Sequence, residues 1–330
     1  MPLEDLVAAA GLAGVILYGV LGGADFGGGI WDLFAGGPRR DEQRAAIARA
    51  MGPVWEANHV WLIFVIVLLF TAFPAAFAAL SVGLFGLFHL VLLGVSLRGA
   101  AFVFRGPQVA HRGAGRWGTV FGVASVITPV LLGMAVGAVS AGSLRVHEGH
   151  VQVAGVVPPW LAPVSLAIGG LALTLCAYLA AVYLTVESQG ELRDDFRRRA
   201  LFAGTAVVGL AALALPLLKL ETPHLWHGLL GLRAAPVLVA GVASALLSGW
   251  ALLRRRFRLA RAAAIVQVSL LLSGWGLAQY PYLIYPDMTL QDAAAPDPTL
   301  RFVVYSLPIG LGLLVPSLWL LFRVFKRVES

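Results

Sequence analysis

Along the chain, long apolar runs alternate with short segments where arginine, acidic residues and proline collect. Runs of about 18 residues or more are long enough to cross the hydrocarbon core of a bilayer as α-helices. The pattern predicts nine spans, at roughly 6–35, 55–79, 81–104, 118–141, 160–186, 200–220, 235–253, 262–284 and 302–323. The second and third are expected to meet in a tight turn, "TAFPAAFAA", broken at Pro74. No internal repeat and no low-complexity linker divides the chain, so residues 1–330 read as one integral membrane domain. Gly23 with Gly27, and Gly83 with Gly86, offer small faces where helices can approach closely. The fold class is an all-α polytopic membrane protein.

Charge supports the span count. Arg39, Arg40, Arg44 and Arg49 follow the first span, and Arg105, Arg112 and Arg116 follow the third. Arg193 and Arg197 to Arg199 follow the fifth, Arg254 to Arg256, Arg258 and Arg261 the seventh, and Arg323, Lys326 and Arg327 the ninth. With nine spans all of these fall on one side, leaving Arg145, Lys219, Arg233 and Arg301 opposite. The positive-inside rule then predicts the N-terminus outside and the C-terminus in the cytoplasm. The outer segment 285–301 is acidic, with Asp287, Asp292 and Asp297.

Composition narrows the class further. The chain is 59% hydrophobic and 12% charged, where a soluble domain is about a quarter charged. Its net charge of +7 belongs to the loops of a membrane protein, so no nucleic-acid partner is expected. The start "MPLEDL" is acidic and no A-x-A site follows, so no cleaved signal peptide is expected. Cys176 is the single cysteine, which excludes an internal disulfide and a cysteine-based metal cluster.

The chemistry lies in polar residues inside apolar runs. Asp25 sits well inside the first span, where an ionised carboxylate facing lipid costs about 2.5–3.5 kcal/mol. Asp32 follows about 10 Å along the same helix face. Glu56, Asn58 and His59 open the second span, and Arg98 lies near the same end of the third. Two readings stand for these groups. They form a proton-uptake path, or they are buried ion pairs and interfacial acids that set helix register. For Asp32 the interfacial reading is preferred. Bis-histidine haem sites pair mid-span histidines, and here only His89 is mid-span, so this chain is expected to ligate neither haem nor another metal. No P-loop, H-E-x-x-H or G-x-S-x-G motif is present. Trp226, Trp250, Tyr280, Tyr282 and Tyr285 read as interfacial aromatics.

The blocks "GVLGGADFGGGIWDL" and "RAMGPVWEANHVWLIF" resemble subunit II of cytochrome bd-type quinol oxidases, with the cyanide-insensitive branch the nearer match. "SLRGAAFVFR" at 96–105 and "GLAQYPYLIYP" at 276–286 fit in the same order. The resemblance implies nine transmembrane helices arranged as two four-helix bundles plus a peripheral helix. It implies a heterodimer in the bacterial plasma (inner) membrane, with b- and d-type haems and the quinol-oxidising loop in subunit I and no haem ligated by this chain. Quinol and oxygen would be the substrates of the complex. A bound quinone or lipid and a small accessory subunit are compatible with this reading. By resemblance, Glu56 and Asp25 carry cytoplasmic proton transfer, with Asn58, His59, Arg98 and Asp32 as polar support. Trp61 corresponds to the entrance of a hydrophobic oxygen channel. Two positions depart from the family pattern, since Gly22 and Val103 stand where relatives carry acids. The alternative class, a proton-coupled secondary transporter, would carry acids in two inverted halves, whereas here they cluster in the first three spans.

Overall fold

The computed structural model describes residues 1–104, 114–147, 150–153 and 157–327, and the side chains of 52–57, 114 and 321–327 lie outside that description. The chain runs α1 (Leu3–Leu33), α2 (Arg40–Ala72), α3 (Pro74–Gly83), α4 (Phe85–Phe104), α5 (Ala114–Ser140), a hairpin of β1 (Leu144–His147) and β2 (His150–Val153), then α6 (Pro163–Glu187), α7 (Gly190–Glu221) and α8 (Pro223–Leu230). It continues with α9 (Ala235–Leu253), α10 (Phe257–Gln279), a second hairpin of β3 (Tyr282–Ile284) and β4 (Met288–Thr289), α11 (Leu290–Ala293) and α12 (Asp297–Arg327). Among the described residues, α1, α4, α5, α6, α7, α9, α10 and α12 are each long and apolar enough to cross a membrane. The apolar part of α2 together with α3 supplies a ninth segment, bent by 115°.

These helices group as the family resemblance implies. The first bundle is α1, α2, α4 and α5, and the second is α6, α7, α9 and α10. The two meet where α1 packs on α6 and α10 and where α5 packs on α6. Peripheral α12 packs mainly on α1 and α2 among the described residues, and no residue of its membrane-length window is buried. The second bundle and the α1 seam share one apolar core that includes Leu184, Phe196, Ala200, Leu252 and Ala260. The polar element within it is neutral: Tyr178 Oη donates to Ser248 Oγ at 2.6 Å, and Ser248 Oγ donates to the Ala260 carbonyl at 2.9 Å.

Several boundaries differ from expectation. The "TAFPAAFAA" segment is not a tight turn. Phe73 leaves the helical region (φ −134°, ψ 58°), and Pro74 starts α3 at a position that needs no amide donor. The alanines and leucine that follow are good helix formers, so a ten-residue helix replaces the turn. The basic loop expected over 36–54 is helical from Arg40 onward, with Asp41 and Glu42 favourably placed in the first turn. α10 begins at Phe257 and ends at Gln279, five residues on each side before the predicted span. Gly83 does serve a close approach, because a Cβ there would lie 2.2 Å from Leu144, but Gly86 has nothing within 4 Å.

Each end of the helix stack is tied by ion pairs. At the arginine-rich end Arg39 makes a bidentate contact to Asp195, both bonds 2.9 Å, and also pairs with Glu191. Gln43 donates to Asp195 and accepts from Arg199 at 2.7 Å. Hydrogen bonding from Arg39 holds the Asp195 carboxyl below its ordinary pKa. At the opposite end Arg145 of β1 grips Asp287 at 2.7 and 2.9 Å, and the Val146 amide donates to the same carboxylate. The Arg145 hydrogen bond likewise lowers the Asp287 pKa.

Candidate functional site

Three consecutive glycines position the site. Successive helix residues point about 100° apart, so each glycine of Gly27–Gly29 faces a different neighbour. A Cβ on Gly27 would sit 1.9 Å from the Cys176 carbonyl of α6, one on Gly28 would sit 2.6 Å from Met51 of α2, and one on Gly29 would sit 2.1 Å from Ser125 of α5. Removing those side chains lets α1 lie against three helices at once. Gly94 of α4 does the same toward α5, where a Cβ would lie 2.3 Å from Thr128 Oγ1. The result is a dense junction around residues 25–29.

Asp25 is the charge at that junction, and it is 1% exposed. Arg98 of α4, 2% exposed, donates to both carboxylate oxygens, at 2.7 Å from Nη1 and 2.6 Å from Nη2. Its Nη2 also reaches the Asp25 carbonyl at 3.1 Å, and its Nε donates to Ser125 Oγ at 2.9 Å. Ser125 in turn donates to the Phe121 carbonyl at 2.7 Å. The guanidinium is sandwiched between the rings of Phe26 and Phe121, 4.9 and 4.7 Å from their centroids. Asn58 of α2, also buried, donates Nδ2 to Asp25 Oδ2 at 2.7 Å. One carboxylate therefore joins α1, α2 and α4, and through Arg98 reaches α5. A fork of this kind satisfies a buried carboxylate with charge-assisted bonds, which is the geometry arginine favours over lysine.

The other predicted residues divide. Asp32 is 6% exposed and so buried within the chain. Its carbonyl accepts from Arg44 at 3.4 Å. Trp61 is 7% exposed and packs edge-on against Phe64 at 6.0 Å. Among the described residues its Nε1–H has no acceptor. His59 is half-buried one residue beyond Asn58. Glu56 lies on α2 two residues before Asn58, and its side chain is outside the described residues, as is that of Trp55; Arg105, His111 and Arg112 are outside as well. At position 22 the Tyr18 ring lies over the glycine, 3.2 Å from where a Cβ would be. Val103 is exposed on α4.

Some functional-looking groups carried no signal in the sequence. Ser125 and Phe121 are ordinary residues of an apolar helix, and nothing in their spacing marks them as the outer wall of the Arg98 pocket. Tyr282 and Tyr285, expected as interfacial aromatics, instead enclose His224, which stacks on Tyr285 at 4.4 Å and meets Tyr282 edge-on at 5.2 Å.

Among the described residues, no three of His, Cys, Asp and Glu converge to hold a metal ion. His89 is exposed on α4 with Nδ1 donating to the Phe85 carbonyl at 2.8 Å, and α5, the main partner of α4, contains no histidine that could face it.

Comparison with known proteins agrees with this architecture. The chain is 23% identical over 326 residues to the putative cytochrome bd menaquinol oxidase subunit II of Bacillus subtilis, covering 95% of this chain and 92% of the relative. It is 31% identical over 208 residues to the cytochrome bd-I ubiquinol oxidase subunit 2 of Escherichia coli K12, covering 62% and 54%. The fold is shared with a chain of the bd oxidase from Geobacillus thermodenitrificans, at TM-score 0.80 and 23% identity over 98% of this chain and 99% of that one. The family sequence model for cytochrome bd terminal oxidase subunit II matches residues 3–325. The chain therefore belongs to the cytochrome bd terminal oxidase subunit II family, a component of a quinol oxidase complex.

Proposed function

We propose that this subunit packs against a haem-bearing subunit I and supplies part of the path by which protons reach the site of oxygen reduction. The reaction of the whole complex consumes protons: each oxygen reduced to two waters takes four electrons from two quinols and four protons. In this reading the arginine-rich end faces the cytoplasm, the N-terminus lies outside, and the complex sits in the bacterial plasma membrane. Protons taken from the cytoplasm and released by quinol outside would build a potential without a pump.

The observation that carries the proposal is the convergence of α1, α2 and α4 on the Asp25 carboxylate. Asn58, bonded to that carboxylate, shares α2 with Glu56, half a turn earlier in sequence. Glu56 is the carboxylate that takes up protons, and Asp25, compensated by Arg98, holds the neighbouring polar groups in place and extends the path inward. Trp61 marks the start of an oxygen route among the apolar side chains of the same helix. Haem chemistry belongs to the partner, and the residues of this chain hold and move protons and keep lipid away from the junction.

Glu56→Gln and Glu56→Asp variants of the purified, haem-loaded complex test this. The Gln variant is expected to lose most of its oxygen consumption with its haem spectrum intact, by roughly the 10²–10⁴-fold typical of a lost proton-transfer group. The Asp variant is expected to recover activity with a shifted pH profile. Full activity of Glu56→Gln at every pH would remove Glu56 from the path.

A further inference from the structure

At the arginine-rich end of the second bundle, the turn between α9 and α10 borders a cavity of about 490 Å³. Arg193, Arg255, Arg256 and Arg258 line it together with Phe257 and Leu259, and none of its lining residues is acidic. Arg255 pairs with Asp194 at 3.2 Å, and Arg193 donates to the Ser188 carbonyl at 2.7 Å and lies over the Phe257 ring. Arg256 and Arg258 are exposed and, among the described residues, have no carboxylate partner. Arg256 lies over the Trp250 ring at 5.3 Å, and neither it nor Arg258 meets an acidic group among the residues that line the cavity.

The backbone of the turn adds an independent sign. The Arg256 amide donates to the Ala251 carbonyl at 2.8 Å and the Arg255 amide to the Leu252 carbonyl at 3.3 Å, the paired bonds of a Schellman helix stop. The residue between them in such a stop is left-handed and is usually glycine. Here it is Arg255 at φ 57°, the one positive-φ residue other than glycine among the described residues. The left-handed turn is kept with Arg255 tied to Asp194 and with Arg256 and Arg258 in the lining of the cavity. The first-turn amides of α10, from Phe257, open toward the same place, and no side chain caps them.

The surroundings decide what kind of anion fits. The cavity lies at the ends of two membrane-length helices, with Leu259 in its lining and Trp250 under the Arg256 guanidinium, 36% and 43% exposed. A free phosphate needs no such apolar margin, whereas a phospholipid presents a phosphate and acyl chains together. We propose that the cavity binds the headgroup of an anionic membrane phospholipid, with Arg256 and Arg258 on its phosphate and Leu259 and Trp250 beside its acyl chains. The site shares no residue with the Asp25 junction, so its failure and that of the proton path are separable.

Native mass spectrometry of the intact oxidase complex tests the site. The complex is delipidated in mild detergent and titrated separately with phosphatidylglycerol, phosphatidylethanolamine and inorganic phosphate. The wild-type complex is expected to bind phosphatidylglycerol in preference to the other two. Arg256→Gln/Arg258→Gln is expected to weaken phosphatidylglycerol binding by about tenfold or more. Arg258→Gln alone serves the same comparison if the double variant does not assemble. Unchanged binding in the arginine variants, equal binding of the two phospholipids, or inorganic phosphate binding as tightly as phosphatidylglycerol would each overturn the proposal.

Discussion

The two bundles have similar helix counts and opposite interiors. The second bundle buries an apolar cluster in which the bonds from Tyr178 to Ser248 and on to the Ala260 carbonyl carry no charge. The first bundle buries a full ion pair, Asp25 with Arg98, at 1% and 2% exposure. Apolar packing would hold helices together equally well, and replacing a buried pair by apolar residues is often neutral or stabilising. Among the described residues, a buried charge pair therefore distinguishes the first bundle from the second, and the proposed proton path gives that pair its task.

The sharpest break of that contrast is Arg98→Ala. It leaves the Asp25 carboxylate buried without its cation and is expected to cost about 3–5 kcal/mol, read as lost assembly and a lower unfolding temperature. Arg261→Ala in the second bundle removes an ion pair with Glu187 whose partners are 33% and 35% exposed, and is expected to cost no more than about 1 kcal/mol. Equal losses would erase the distinction between the two interiors. Tyr178→Phe is a smaller probe of the scaffold. Ser248 keeps its bond to the Ala260 carbonyl, so the expected cost is about 1 kcal/mol in thermal unfolding, with oxygen consumption unchanged.

The smallest effect is a pH dependence confined to the ends of the helices. The Asp195 and Asp287 pKa values are lowered in the folded protein, chiefly by hydrogen bonds from Arg39 and Arg145. Their stabilisation is fully present above the ordinary carboxylate pKa and is lost as pH falls through the lowered, folded values. Unfolding temperature is therefore expected to hold from neutral to mildly acidic pH and drop below that range. Asp287→Asn is expected to flatten the drop.

Much of this was legible in the sequence because hydropathy and ionisable residues are one-dimensional signals. The spans follow from run length, and Asp25 and Arg98 stand out because ionisable groups inside apolar runs are costly. Their shared depth was readable too, whereas their direct pairing depends on which faces of α1 and α4 turn toward each other. Ser125 and Phe121 were invisible because a serine and a phenylalanine in an apolar helix look the same whether they face lipid or a guanidinium. The burial of Asp32 could not be read, because distance from the end of a run says nothing about what covers a side chain. The α3 helix was missed because Pro74 marks a break equally well before a turn and before a new helix.

The double variant Asp25→Asn/Arg98→Met tests the central claim most directly. It removes both charges together, and the introduced amide can still accept from Asn58, so no buried ion is left unpaired. Oxygen consumption would be measured on the assembled, haem-loaded complex. If the first bundle's charge serves proton uptake, the variant assembles and keeps its haem spectrum but consumes oxygen far more slowly. A fully assembled variant that respires at the wild-type rate at every pH would show the pair to be only a helix clamp and would contradict the proposed role.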